Sequence, residues 1–227
     1  MTQSSRSETI YYSLRRAIIE QALRPGMKLP EDTIGEQFGV SRTSVRNALV
    51  RLSAEGLVDV QPNRGACVAE PTLEEALDIF SLRRCLEREV ANRLSRQITP
   101  AQLAKLEAHV REEQAALGSE GPLSMRLAGE FHILLAQLTG SRPLTRYVSE
   151  IVSRCSLILA LYSRPHSSRC GLDEHRQIIE ALRKGDPERA VAVMGQHIEA
   201  VEERAEIREH AEEPDVRAIL GEYAKSA

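Results

Sequence analysis

Between Glu31 and Gly65 the chain reads EDTIGEQFGVSRTSVRNALVRLSAEGLVDVQPNRG, and few folds accept that order of signals. Ile34 and Phe38 share one face of a short helix, spanning roughly 31–38 after Pro30. Gly39 supplies a tight turn, and Ser41 is the kind of residue whose hydroxyl caps a helix start. From there Val45, Ala48, Leu49 and Leu52 recur at helical spacing, which predicts a third helix with one buried stripe. Gly56 stops it. Leu57-Val58-Asp59-Val60 alternates as a strand does, Pro62-Asn63-Arg64-Gly65 is a turn, and Ala66-Cys67-Val68 returns. Upstream, Ile10, Leu14, Ala17, Ile18 and Leu23 outline a first amphipathic helix ended by Pro25-Gly26. Three helices and a hairpin make a winged helix-turn-helix, expected over residues 1–70.

The face opposite that buried stripe carries the chemistry. Arg42 and Arg46 stand one helical turn apart, at the end of the third helix that such a fold inserts into the DNA major groove. Arginine there can donate two hydrogen bonds to one guanine. Ser41, Thr43 and Ser44 are short donors suited to phosphates, which fix register without reading sequence. Arg51, at the far end of the helix, is expected in a surface ion pair with Glu55. The net charge of −3 does not advertise a polyanion binder, but no acid lies between Glu36 and Glu55, where Arg42, Arg46 and Arg51 fall. Residues 1–70 carry nine Lys/Arg against eight Asp/Glu, and the remainder 21 against 25. Positive charge is thus local to the reading helix. Such a helix spans only a few base pairs, so useful specificity needs two copies on an inverted repeat of double-stranded DNA. A homodimer is expected.

After Pro71 the texture changes. Thr72 with Glu75 and Thr99 with Gln102 are capping boxes, and Gly185-Asp186-Pro187 combines a helix stop with a helix start. Helices are expected at about 73–97, 100–117, 122–139, 143–162, 171–184 and 187–211, with no strand beyond residue 70. Residues 71–227 therefore read as an all-α bundle, and the whole chain as mainly α. The best apolar run, Ile151 to Leu161, is broken by Ser153 and Arg154 and falls short of the ~18 residues of a membrane span. The N-terminus lacks the apolar core of a signal peptide. Cys67, Cys85, Cys155 and Cys170 have no CxxC spacing, so reduced thiols in the cytoplasm, and no membrane, are the expectation.

Taken together, these blocks resemble the GntR family of bacterial transcription regulators, in the FadR-type branch with a C-terminal FCD domain. The resemblance runs from about Ile10 to Ile198. It rests on Leu14-Arg15-Arg16-Ala17-Ile18, Pro25-Gly26-Met27-Lys28-Leu29, Phe38-Gly39-Val40-Ser41-Arg42-Thr43, Val45-Arg46-Asn47-Ala48-Leu49, Glu55-Gly56-Leu57-Val58 and Asn63-Arg64-Gly65. In the second half it rests on Leu82-Arg83-Arg84-Cys85-Leu86-Glu87, Glu130-Phe131-His132, Glu174-His175-Arg176, Gly185-Asp186 and Gln196-His197. The resemblance implies a repressor-like regulator whose operator affinity is controlled by a small effector, often a carboxylate, bound in the helical domain. It also implies that Arg64 and Gly65 of the wing contact DNA.

It further implies that His132, His175 and His197 line a cavity and hold a divalent metal, together with an aspartate one turn before the first histidine. That position is Ala128 here. Three imidazoles can still hold Zn, Ni or Mn with an open position for water or an effector carboxylate. The alternatives, in descending order, are that they bind an anionic effector directly or are hydrogen-bonded core residues. Cys170 is a conceivable soft ligand or a buried thiol. Arg83 is either a cation facing an effector carboxylate or the partner of Glu87 on a solvated surface. Tyr162 and Arg154 are placed near the cavity rim without a role. His109, His166 and His210 are expected at the surface, and the acidic stretch Glu199–Glu213 as a solvated helix end. A competing class is metal-assisted hydrolysis, but it lacks a base, because Glu130 lies two residues from His132 and points to another face.

Overall fold

The computed structural model describes residues 3–61, 65–117, 122–162 and 169–205. In order these form α1 (Gln3–Ile19), α2 (Glu31–Phe38), α3 (Arg42–Ala54), β1 (Val58–Gln61), β2 (Gly65–Val68), α4 (Leu73–Gln97), α5 (Pro100–Ala116), α6 (Pro122–Leu138), α7 (Arg142–Tyr162), α8 (Arg169–Arg183) and α9 (Pro187–Arg204). The helix ends follow their local chemistry. Both capping boxes close as expected, Thr72 with Glu75 and Thr99 with Gln102. Asp186 caps α9 ahead of Pro187. The first helix differs: it stops at Ile19 instead of reaching Leu23. Gln21 takes a left-handed φ of 57°, and the Leu23 amide caps the carbonyl of Ala17.

The winged unit packs α1, α2 and α3 against an antiparallel hairpin in which Val58 faces Val68 and Gln61 faces Gly65. Ile10, Leu14, Ile18, Val45, Leu49, Leu52, Leu57 and Val68 fill its core. A side chain of that size contributes about 1.5–3 kcal/mol when fully buried. The second core, with Phe80, Leu94, Leu106, Phe131, Leu135, Ile158, Ile178, Leu182 and Ile198, fills the bundle. Its axis is α4, which packs against α6, α7, α8 and α9, while α5 closes over α6 and α8.

The two cores are stitched together by α7. Leu157 on that helix is 1% exposed and belongs to the winged unit's core. Three residues earlier, Arg154 lies against the turn after α3, where a Cβ on Gly56 would come 2.8 Å from its Nε. That nitrogen is buried without a hydrogen-bond partner. Arg15 of α1 reaches Ser149 and Ser153 of α7, and Arg126 of α6 pairs with Glu20, just past the end of α1, at 2.9 Å.

Candidate functional site

Gly39, at φ 63°, makes the turn that brings α2 across α3, and Ser41 accepts from the amide of Ser44 to start α3. Arg42, Thr43, Arg46 and Asn47 are exposed on its first turns, as their spacing predicts. Ser44 corrects the expectation. It is 2% exposed, and its hydroxyl bonds that of Ser41, so it braces the cap rather than facing out. The helical spacing that buries Val45 and Ala48 buries Ser44 beside them. Both arginines lean on carboxylates at the start of α2. Arg42 pairs with Asp32 through Nε at 2.5 Å and Nη2 at 2.8 Å. The Nε of Arg46 meets both Glu31 oxygens, at 2.9 and 2.8 Å. Sequence reasoning missed these two acids, since ten and fifteen residues separate the partners.

Arg51 also departs from its expected pair. Its guanidinium lies 3.9 Å from the centre of the Tyr11 ring, a cation–π contact. Glu55 instead accepts from the Tyr11 hydroxyl and pairs with Arg15 at 3.4 Å. Tyr11, from α1, comes between the two residues that helical spacing would have paired. Burial, and then Glu55, push the Tyr11 phenol well above its ordinary value. Gly65 is exposed at the head of β2 with φ 86°, and Arg64 lies outside the described residues.

The second site is built on α6, α8 and α9. His132, His175 and His197 are 2%, 1% and 4% exposed, and their ligand atoms lie within 4.8 Å of one another. Each ring rests on a carboxylate through Nδ1. Glu87 of α4 holds His132, Glu113 of α5 holds His175 at 2.8 Å, and Glu174 of α8 holds His197 at 2.6 Å. Burial opposes the charge of all three acids, but their basic neighbours prevail. His132 and Arg83 bring Glu87 down to about 2, His109 and His175 do the same for Glu113, and Arg204 and His197 for Glu174.

An ionised carboxylate only accepts, so each Nδ1 must donate, and each Nε2 of a neutral ring is left with its lone pair. Burial keeps two of the rings neutral, pushing His132 down to about 3 and His197 to about 4. The Nε2 atoms of His132 and His197 stand 3.1 Å apart. Two facing lone pairs at that distance repel unless a proton or cation lies between them. Two nitrogens about 2.0–2.1 Å from one divalent ion stand ~3.0–3.4 Å apart for ordinary coordination angles. Carboxylate-backed imidazoles are also what fixes the tautomer of a metal-ligating histidine. The donor set therefore fits a divalent metal.

Other expectations at this site are resolved differently. Arg83 does pair with Glu87, at 2.7 Å, but on no solvated surface: their side chains are 5% and 1% exposed. Arg83 also bonds the thiol of Cys155, which burial raises to about 11. His109 is not a surface residue either. At 12% exposure it donates to the Leu127 carbonyl at 2.8 Å and lies 3.3 Å from Glu113. Burial works against its charge, but Glu113 and that carbonyl raise its pKa. Tyr162 donates to the Pro71 carbonyl, and Arg154 faces Gly56 rather than the histidines. Glu130 pairs with Arg126, away from His132, and Ala128 offers no donor. Glu202, in the acidic stretch expected to be solvated, pairs with Arg84. His166, His210, the Cys170 side chain and residues 206–213 lie outside the described residues. A surface groove of about 420 Å³ between α5 and α8, lined by Val110, Gln114, Arg176 and Ile179, takes in none of the three histidines.

The three glutamates behind the histidines, two buried and one partly exposed, are what sequence reasoning did not assemble. Glu87 and Glu174 sit inside quoted motifs, but nothing local marks Glu113 as buried.

Comparison with known proteins places both halves of the chain. Residues 6–68 match the bacterial regulatory proteins of the gntR family, and residues 78–200 match the FCD domain. The HTH-type transcriptional repressor RspR of Escherichia coli is 26% identical over 87% of each chain. The Exu regulon transcriptional regulator of the same organism is 30% identical over 82% of this chain and 79% of its own length. A crystal structure of a GntR protein from Rhodococcus sp. RHA1 superposes with a TM-score of 0.76, at 26% identity, over 88% of this chain and 97% of that one.

Proposed function

Since this chain belongs to the GntR family of bacterial regulatory proteins and carries an FCD domain, we propose that it is an operator-binding switch thrown at the three-histidine centre. It is a DNA-binding transcription regulator with a ligand-binding domain, and not an enzyme. In the proposed division of labour, residues 1–70 read DNA and residues 71–227 sense. Arg42 and Arg46 address base edges, Ser41 and Thr43 address phosphates, and Arg64 and Gly65 extend the contact along the wing. Ser44, being buried, takes no part. Two copies act as a homodimer on an inverted repeat, as a repressor in the cytoplasm. Among the described residues no helix is long and apolar enough to cross a membrane.

The observation that carries the sensing half is the convergence of three imidazoles, each backed by a carboxylate at Nδ1. His132, His175 and His197 would hold Zn, Ni or Mn, and the ion would supply a Lewis-acidic position for an anionic oxygen. Ala128 offers that position no protein ligand, so a small carboxylate effector is the occupant we propose. Arg83 serves from behind, through Glu87, rather than by touching the effector. Effector state reaches DNA through α7: Arg83 bonds Cys155, and neighbouring Arg154 presses on Gly56 at the end of the reading helix. Coupling of this kind is worth about 1–3 kcal/mol and is reciprocal.

The test uses the full chain and a duplex obtained by selection from a random pool. Footprinting should show two inverted half-sites, and metal analysis should find near-stoichiometric divalent ion that His175→Ala loses. In a screen of small carboxylic acids, at least one should shift duplex affinity by about five- to 150-fold, and only with metal present. Full metal content in His175→Ala would remove this centre from the reading.

A further inference from the structure

The placement of Glu31 and Asp32 gives the reading helix a feature that neither its arginines nor the family match describes. Both acids open α2, and both are spent on the arginines of α3. The way they are spent matters. Asp32 takes the Nε–Nη2 edge of Arg42, and Glu31 takes the Nε of Arg46 with both oxygens. Among the described residues, nothing bonds Nη1 of Arg42 or either Nη of Arg46. The carboxylates thus hold each guanidinium from its Nε side, leaving both terminal nitrogens of Arg46, and Nη1 with the second N–H of Nη2 of Arg42, to straddle O6 and N7 of guanine.

Stability does not explain the arrangement. The arginines are 67% and 64% exposed, and ion pairs this open contribute little to folding. Helix-dipole chemistry explains why acids suit the first turn of α2, but not why both reach across to the reading arginines. On a surface meant for a polyanion, two fixed carboxylates are also a cost. They cancel the nearest positive charges, and they occupy the amide-rich start of α2, where a phosphate would otherwise settle.

We propose that Glu31 and Asp32 are specificity-determining positioning residues: they pre-set the forks of Arg46 and Arg42 for guanine and suppress binding through phosphate alone. An unrestrained arginine loses rotamer freedom whenever it binds, and it serves a phosphate as readily as a base. A restrained one has lost much of that freedom beforehand and meets a repulsive neighbour wherever only phosphate is offered. Discrimination thereby gains from both sides, through a correct contact made easier and a wrong one made harder.

The inference rests on the reading role of Arg42 and Arg46 and is tested beside it. Full-length wild type, Glu31→Gln and Asp32→Asn are compared on the duplex selected by wild type and on poly(dI-dC), over a range of salt. Each isosteric variant should keep its unfolding midpoint, gain affinity for poly(dI-dC), and lose about fivefold or more in the ratio of selected to non-specific affinity. A fresh selection with each variant should return a weaker preference at the guanines that wild type demands. Equal gains on both DNAs, with an unchanged selected sequence, would mean that the acids are only charges, and would overturn the proposal. Arg42→Ala and Arg46→Ala separate the two layers. If they bind the selected duplex as wild type does, the reading role itself fails and takes this inference with it. If they lose it while the acid variants change no ratio, only the inference fails.

Discussion

Both halves of this protein set a basic side chain against a carboxylate, but in opposite surroundings. In the winged unit Arg42 and Arg46 meet Asp32 and Glu31 in the open, at 67% and 64% exposure for the arginines. In the bundle His132, His175 and His197 meet Glu87, Glu113 and Glu174 with every ring almost out of water. Water weakens the first kind of pair until it steers geometry and adds little to stability. Its partners can be exchanged, which suits the proposed DNA-reading face. Low polarity strengthens the second kind and makes an unpaired member expensive. Those pairs fix the tautomer of each ring, which suits the proposed metal centre.

The comparison breaks most visibly at Glu87, which serves Arg83 and His132 together. Glu87→Ala leaves the Arg83 charge buried without its partner and should destabilise the fold by about 3–5 kcal/mol in a urea titration. A loss below about 1 kcal/mol would show that water reaches the pair.

Acid is the next lever. In the metal-free protein His132 and His197 titrate at about 3 and about 4, against 6.5 when unfolded. Below pH 6.5 the unfolded chain takes up protons that the folded one refuses. Stability should therefore be level above about pH 7 and fall as pH drops toward 4, by about 1.4 kcal/mol per histidine and pH unit. The carboxylates, at about 2, add their own loss only below their unfolded value of 4.5. Thermal unfolding in chelator across pH 4–8 measures the slope, and a flat profile between 7 and 5 would contradict the buried neutral rings.

The smallest effect belongs to the exposed pairs. Asp32→Asn should move unfolding free energy by no more than about 0.5 kcal/mol. A change several times larger would mean that the Arg42 pair is structural, and the contrast between the two halves would blur.

Much of this was legible in the residues. Gly39, the cap at Ser41, the stripe from Val45 to Leu52 and the alternating hairpin give the winged unit, because each signal acts within a turn or two of chain. The capping boxes at Thr72 and Thr99 and the break at Gly185 place three bundle helix starts and one helix end for the same reason. What misled were positions where local spacing met a distant partner. Arg51 and Glu55 are spaced to pair, yet Tyr11, forty-four residues from Glu55, separates them. Arg83 and Glu87 do pair, but burial against Cys155 and His132 turns a surface contact into a link within the core. His109 looked isolated because the Leu127 carbonyl comes from another helix.

By itself the sequence determined the order of elements, and it picked out the two exposed arginines of α3 and the three histidines that converge in the bundle. These are matters of local periodicity, capping and motif. Only the tertiary structure decided which carboxylate stands behind each of those side chains and whether water reaches it. The histidine partners lie 45, 62 and 23 residues away, and the arginine partners ten and fifteen. A residue's helical face follows from its neighbours in the chain. Its protonation and its freedom to exchange partners depend on dielectric and contact, which arise only when distant helices close over one another.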